Sequence, residues 1–192
     1  MEEIETSNML SSLPADLREL LIMLPYRAGL YVSFSDITGG WEAQEREIKT
    51  LTSILREFSE DYCKSELSQG ILMQTLAERT KWPLWSQHID TVPTEASKAI
   101  AVLTERFPSV QVNSFREVIV DIALAVAMAF REVSDKQDNA PAPTTLLTSV
   151  LSRFTGLKKR EGNSYSRNIS SAEKAALLRL CTVLGHDKNL VM

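Results

Sequence analysis

Val112-Asn113-Ser114-Phe115-Arg116-Glu117-Val118-Ile119-Val120-Asp121-Ile122-Ala123-Leu124-Ala125-Val126-Ala127-Met128-Ala129-Phe130-Arg131-Glu132-Val133 is the stretch on which the fold turns. Val118, Ile119, Ile122, Ala123, Val126 and Phe130 recur at helical spacing, and the residues between them are also mostly apolar. A helix apolar on nearly all sides has to be surrounded by other elements, so this one is expected at the centre of the molecule. Its longest apolar run, Ile119 to Phe130, is interrupted by Asp121. A bilayer span needs ~20 such residues, so no transmembrane segment is expected here.

Working outward, Pro108 separates this helix from one predicted over Thr91–Arg106, with Pro93 near its start and Ala96, Ala99, Ile100 and Leu103 inward. Before it, Trp82-Pro83-Leu84-Trp85 reads as a short helix, and Cys63–Glu78 as a longer one carrying Leu67, Ile71, Leu72 and Leu76. Trp41–Phe58 is strongly amphipathic, with Ile48, Leu51, Ile54, Leu55 and Phe58 on one face. Near the start, Pro14 opens a helix that Ser12 can cap and that carries Leu17, Leu20, Leu21 and Leu24. Pro25 is expected to break or kink it, with a second helix from Tyr26 to Phe34. After the central helix, Asn139-Ala140-Pro141-Ala142-Pro143 reads as a linker, Thr144–Phe154 as a short helix, and Gly156–Ser166 as a basic loop. The last helix starts at Ser170, with Glu173 at capping-box spacing, and stops at Gly185. No alternating strand is found. The expected fold is therefore all-α: a compact bundle of about seven to nine helices in a single domain over 1–192, with 1–10 flexible and 135–170 an insertion.

Composition agrees. The chain has 192 residues, 44% hydrophobic and 24% charged, as a soluble globular domain has. Only seven glycines and seven prolines are too few for a turn-rich all-β fold. A net charge of -4 carries no field that gathers nucleic acid, so no nucleic-acid partner is expected. The acidic start Met1-Glu2-Glu3-Ile4-Glu5 is unlike a secretory signal, and Cys63 and Cys181 stand far apart. Both thiols are expected reduced, in a cytoplasmic setting.

The chain carries a weak internal repeat. A shift of 94 positions lays Leu30-Tyr31-Val32-Ser33-Phe34 on Leu124-Ala125-Val126-Ala127-Met128. A further 32 residues inserted in the second copy lay Leu51, Ile54, Leu55 and Phe58 on Leu177, Leu180, Cys181 and Leu184. Two readings are open: duplicated helix pairs, or the likeness that any two amphipathic helices share.

Asp36 to Glu47 spans twelve positions between two helices. A hard cation takes six to eight oxygens, and acids at both ends of a twelve-residue loop are one solution. Here the fifth and sixth positions are Gly40 and Trp41, which fit the known calcium loop poorly. Asp36, Thr38, Glu42 and Glu47 are the candidate ligands for calcium or magnesium; no other cofactor is expected. The alternative is structural: Asp36 and Thr38 cap the following helix, and the glutamates of its first turns favour its dipole.

These residues also carry a resemblance. A small buried helix, an acidic residue, a small polar loop and a Glu-x-x-x-Leu helix start resemble the TerB-like family of tellurite-resistance-associated proteins. The residues concerned are Ala28-Gly29-Leu30 through Ser35-Asp36, Gly39-Gly40 and Glu47-x-x-x-Leu51, with Ala127-Met128-Ala129, Glu132, Ser134 and Glu173-x-x-x-Leu177 in the second copy. The resemblance implies a cytoplasmic helical module, divalent-cation binding by acidic residues, and a stress role through protein partners. The second copy departs from the pattern, with Phe130 where the loop aspartate belongs, so a cation is expected only in the first.

Other groups invite chemistry. Glu117 and Asp121 lie one turn apart, and Arg27 faces Asp121 if the repeat holds. Together they make either a buried ion-paired cluster or a metal-binding pair. Trp82, Trp85 and Tyr62 either line a groove or cover a core edge. His88 with Asp90, and His186 with Asp187, lack any nucleophile motif beside them. Lys158-Lys159-Arg160 with Arg167 and Tyr165 is a basic patch, most simply a solvated loop. The reading is a non-enzymatic interaction module with a protein partner, or a second copy of itself. A ligand-free structural module and an enzyme with an apolar pocket between helices are its alternatives.

Overall fold

The computed structural model describes residues 10–35, 41–134 and 169–186, and the side chains of all of these except 41–47 and 130–134. Seven α-helices stand among the described residues, at the low end of the expected range. They are α1 (Ala15–Ser33), α2 (Trp41–Glu57), α3 (Glu66–Ala77), α4 (Trp82–Trp85), α5 (Val92–Arg106), α6 (Ser109–Ser134) and α7 (Ser171–Leu184). A π-helical turn, Phe58–Tyr62, continues α2, and 3-10 turns at Arg79–Lys81 and Ile89–Thr91 flank α4. The fold is an all-α compact bundle.

The long apolar helix is central, as its composition requires. Ile119, Val120, Ile122, Ala123, Ala125, Val126 and Ala127 of α6 are wholly buried. Its main neighbour is α1, and α2, α3, α5 and α7 also pack against it. α1 is one continuous helix, which corrects the expected break at Pro25. A proline in a helix interior costs one backbone hydrogen bond and crowds the preceding turn. Here residues on both sides of it, Leu20 to Leu24 and Tyr26 to Val32, are largely buried, so packing holds the helix together. Pro14 stands at the cap position, and its carbonyl accepts from the Arg18 amide at 2.9 Å.

Two sequence boundaries hold. Ser170 and Glu173 form the reciprocal capping box, with the Glu173 amide 3.1 Å from Ser170 Oγ and the Ser170 amide 2.8 Å from Glu173 Oε2. Gly185 ends α7 at φ 65°, a left-handed conformation glycine adopts without a side-chain penalty. Three expectations shift. α3 starts at Glu66 behind the cap residue Ser65, later than predicted. Ile48 is 37% exposed and lies outside the buried stripe of α2. Leu10 and Ile169 are buried, so the core reaches into both the stretch expected flexible and the end of the insertion. The linker at 139–143, the helix at 144–154 and the basic loop at 156–166 lie outside the described residues.

The repeat has a counterpart in packing. Leu51, Ile54, Leu55 and Phe58 are buried, and so are Leu177, Leu180, Cys181 and Leu184. α2 and α7 each pack against both α1 and α6. α3 touches α1, α2 and α6, while α5 touches α1, α6 and α7. A duplicated helix pair around a central α1–α6 contact would pack in this way.

Candidate functional site

Of the four candidate cation ligands, Asp36 and Thr38 lie outside the described residues. Glu42 and Glu47 fall in the first turns of α2, where side chains are not described. What surrounds that segment is defined. Gly29 of α1 faces Leu51 of α2 so closely that a Cβ on Gly29 would stand 2.5 Å from Leu51 Cδ1. Only a residue without a side chain allows this approach, so Gly29 sets how α1 and α2 meet on either side of the 34–41 connection. Elsewhere, the described residues bring together no group of three or more His, Cys, Asp or Glu fit to hold a metal.

The expected cluster of Arg27, Glu117 and Asp121 does not form. Arg27 is 4% exposed and turns to the opposite partner set. Its Nε donates to Glu95 Oε2 at 2.8 Å, and its Nη2 reaches Glu95 Oε1 at 3.2 Å. Nη1 donates to the Trp85 carbonyl, and to that of Gln87 at 2.8 Å. Nη2 donates to the His88 carbonyl and to Thr91 Oγ1, both at 2.9 Å. These acceptors use all five guanidinium hydrogens, which leaves none for Asp121. Glu117 lies at the surface instead, 2.7 Å from Lys64 Nζ with both side chains about half exposed. Such a pair contributes little to stability. Asp121 stands near Cys181 and, after burial, helps raise the pKa of that thiol.

Arg27 organises the chain between α3 and α5. The carbonyls of Trp85, Gln87 and His88 converge on one guanidinium because His88 takes a left-handed conformation, φ 51°. Thr91 Oγ1 lies 2.7 Å from the His88 carbonyl and 2.9 Å from Glu95 Oε1, which ties the turn to the first turns of α5. Beside it, Tyr26 stacks on Trp82 with ring centroids 4.3 Å apart. Ser86 Oγ donates to the Trp82 carbonyl at 2.8 Å, so Tyr26 Oη donates to Ser86 across 3.0 Å. Burial raises the Tyr26 pKa, and the bond to Ser86 partly opposes this. Trp82 Nε1 donates to the Thr75 carbonyl at 3.0 Å, and Thr75 Oγ1 lies 2.6 Å from the Ile22 carbonyl.

Trp82 and Trp85 therefore cover a core edge, while Tyr62 packs on Phe58 with ring centroids 5.3 Å apart. Glu95 and Thr91 were not among the residues singled out from sequence. One signal was present: a lone arginine inside the apolar run Leu20–Val32 requires a buried acceptor set. Nothing in the spacing told which acid, 68 positions away, would supply it. Both thiols are free; burial alone pushes Cys63 up to about 12. A hollow of about 390 Å3 opens between Leu13 and Phe107, with Ser12, Arg106 and Pro108 on its walls. His88 is exposed, and its part in the cluster is through its carbonyl. No helix among the described residues is long and apolar enough to cross a membrane. Comparison with protein-family models, curated proteins and solved structures finds no match to this chain.

Proposed function

We propose that the chain is a non-enzymatic, TerB-like helical interaction module of a stress-associated system, acting in the cytoplasm through a protein partner. In this reading a divalent cation, calcium or magnesium, binds between α1 and α2 through Asp36, Thr38, Glu42 and Glu47. The observation that supports it most is the Gly29–Leu51 contact. Both residues belong to the motif carrying the resemblance, and they meet in the packing of the two helices that flank Asp36. A helix pair in close contact would keep the start of α2, which carries Glu42 and Glu47, near the end of α1 that precedes Asp36, and convergent oxygens are what a hard cation needs.

Calorimetric titration of the full chain with calcium chloride, then magnesium chloride, tests the reading. The expected result is a saturable heat with one of them, lost in Asp36→Asn. No heat with either cation, or the same heat in Asp36→Asn, overturns the cation site and leaves Asp36 as a helix-capping residue.

A further inference from the structure

We propose that residues 79–91 form a strap that opens as a cooperative unit of its own, with Arg27 as its latch. The strap consists of two 3-10 turns and the four-residue helix α4, so little of its backbone is held by a continuous helical ladder. Its segments pack on α1 and on the start of α5. Its outer side is in water: Leu84 is 61% exposed, and Gln87, His88, Asp90 and Thr91 are exposed as well. Trp82 and Trp85 are its buried anchors, and a region whose apolar contacts are confined to a few side chains beneath a solvated outer side opens at lower free energy than the core.

Most of what closes the strap comes from α1, with the Thr75 carbonyl of α3 holding Trp82 and Glu95 of α5 holding Thr91. Arg27 holds three strap carbonyls and Thr91, and Tyr26 supplies a stacked ring and one hydroxyl bond. Trp85 adds an asymmetry. Its indole Nε1 is buried with no hydrogen-bond partner among the described residues, so exposure to water costs it no protein bond. Opening uncovers a guanidinium beside the rings of Tyr26, Trp82 and Trp85. Along α6, by contrast, apolar burial dominates from Val118 to Ala129.

Native-state hydrogen exchange on the full chain, in low concentrations of denaturant, tests this. The Ser86, Gln87 and Thr91 amides report on the strap, through their bonds to the Trp82, Leu84 and His88 carbonyls. Amides of residues 119–126 report on α6. The strap amides are expected to exchange faster than those of α6 and with a shallower denaturant dependence. Arg27→Met should accelerate the strap by roughly a hundredfold or more, beyond any change in α6. Should that variant not fold, Thr91→Val should accelerate the strap by about tenfold and leave α6 unchanged. Equal rates and equal denaturant slopes for strap and α6 in the wild-type chain overturn the proposal. So does a variant that shifts both regions together.

Discussion

The central helix α6 and the 79–91 strap are held by different balances of apolar burial and directed bonds. α6 is stabilised by area: nearly every side chain from Val118 to Ala129 is removed from water. The strap is stabilised by two buried tryptophans and by directed bonds that converge on one buried cation. The difference is in how each fails. Loss of apolar area weakens everything that shares the core. Loss of one partner in a buried charged network leaves the other partners unsatisfied and acts locally first.

The largest expected effect probes the apolar side of this contrast. Ile122→Ala removes a wholly buried side chain from α6 and should cost about 2–5 kcal/mol. Because the loss is in the shared core, the denaturation midpoint should fall while a single cooperative transition is retained. A loss below about 1 kcal/mol, read by urea titration, would show that the site collapses around the gap and that α6 is not the common core.

Gly29→Ala probes the contact between α1 and α2. The new Cβ would press on Leu51, which is 1% exposed and cannot swing into solvent. Overpacking costs about 1–3 kcal/mol, while alanine regains about 1 kcal/mol of helix propensity over glycine. A net loss of up to about 2 kcal/mol is expected. Leu51→Ala in the same chain should remove most of it, and two additive losses in the double mutant would contradict the contact.

Thr91→Val probes the strap alone. It removes a hydroxyl that accepts from Arg27 and bridges to Glu95, for about 1 kcal/mol. The expected signature is faster exchange of the Ser86 and Thr91 amides with little change in the thermal midpoint.

The last effect is on pH dependence and is confined to alkaline solution. Burial raises the Cys63 pKa from 9.0 to about 12, so the folded state keeps a proton that the unfolded chain releases above pH 9.0. The stability this contributes is whole below pH 9.0 and is lost as pH rises from 9.0 towards about 12. Cys181 and Tyr26, also raised by burial, act in the same direction. Cys63→Ala should flatten part of the alkaline decline; an unchanged slope in urea titrations between pH 8 and pH 10.5 would contradict the assignment.

Much of the fold is legible before any coordinates are seen, and the reason differs by element. α6 shows itself because an apolar run admits one environment. α7 shows itself because its cap, Ser170 with Glu173, and its stop, Gly185, are local chemistry within a few residues. Pro25 misleads because the local penalty is real and is outweighed by burial on both sides of it. Ile48 misleads because its apolar character says nothing about where the stripe of α2 ends.

The sequence by itself therefore determined the all-α class, most helix boundaries and the buried centre. These follow from periodicity and capping, which act over one or two turns. Only the tertiary structure decided that Arg27 pairs with Glu95 and gathers the carbonyls of Trp85, Gln87 and His88, while Glu117 turns outward to Lys64. A buried charge states its need for partners in the sequence. Which partners meet that need depends on where distant segments are brought together, and no local rule carries that information.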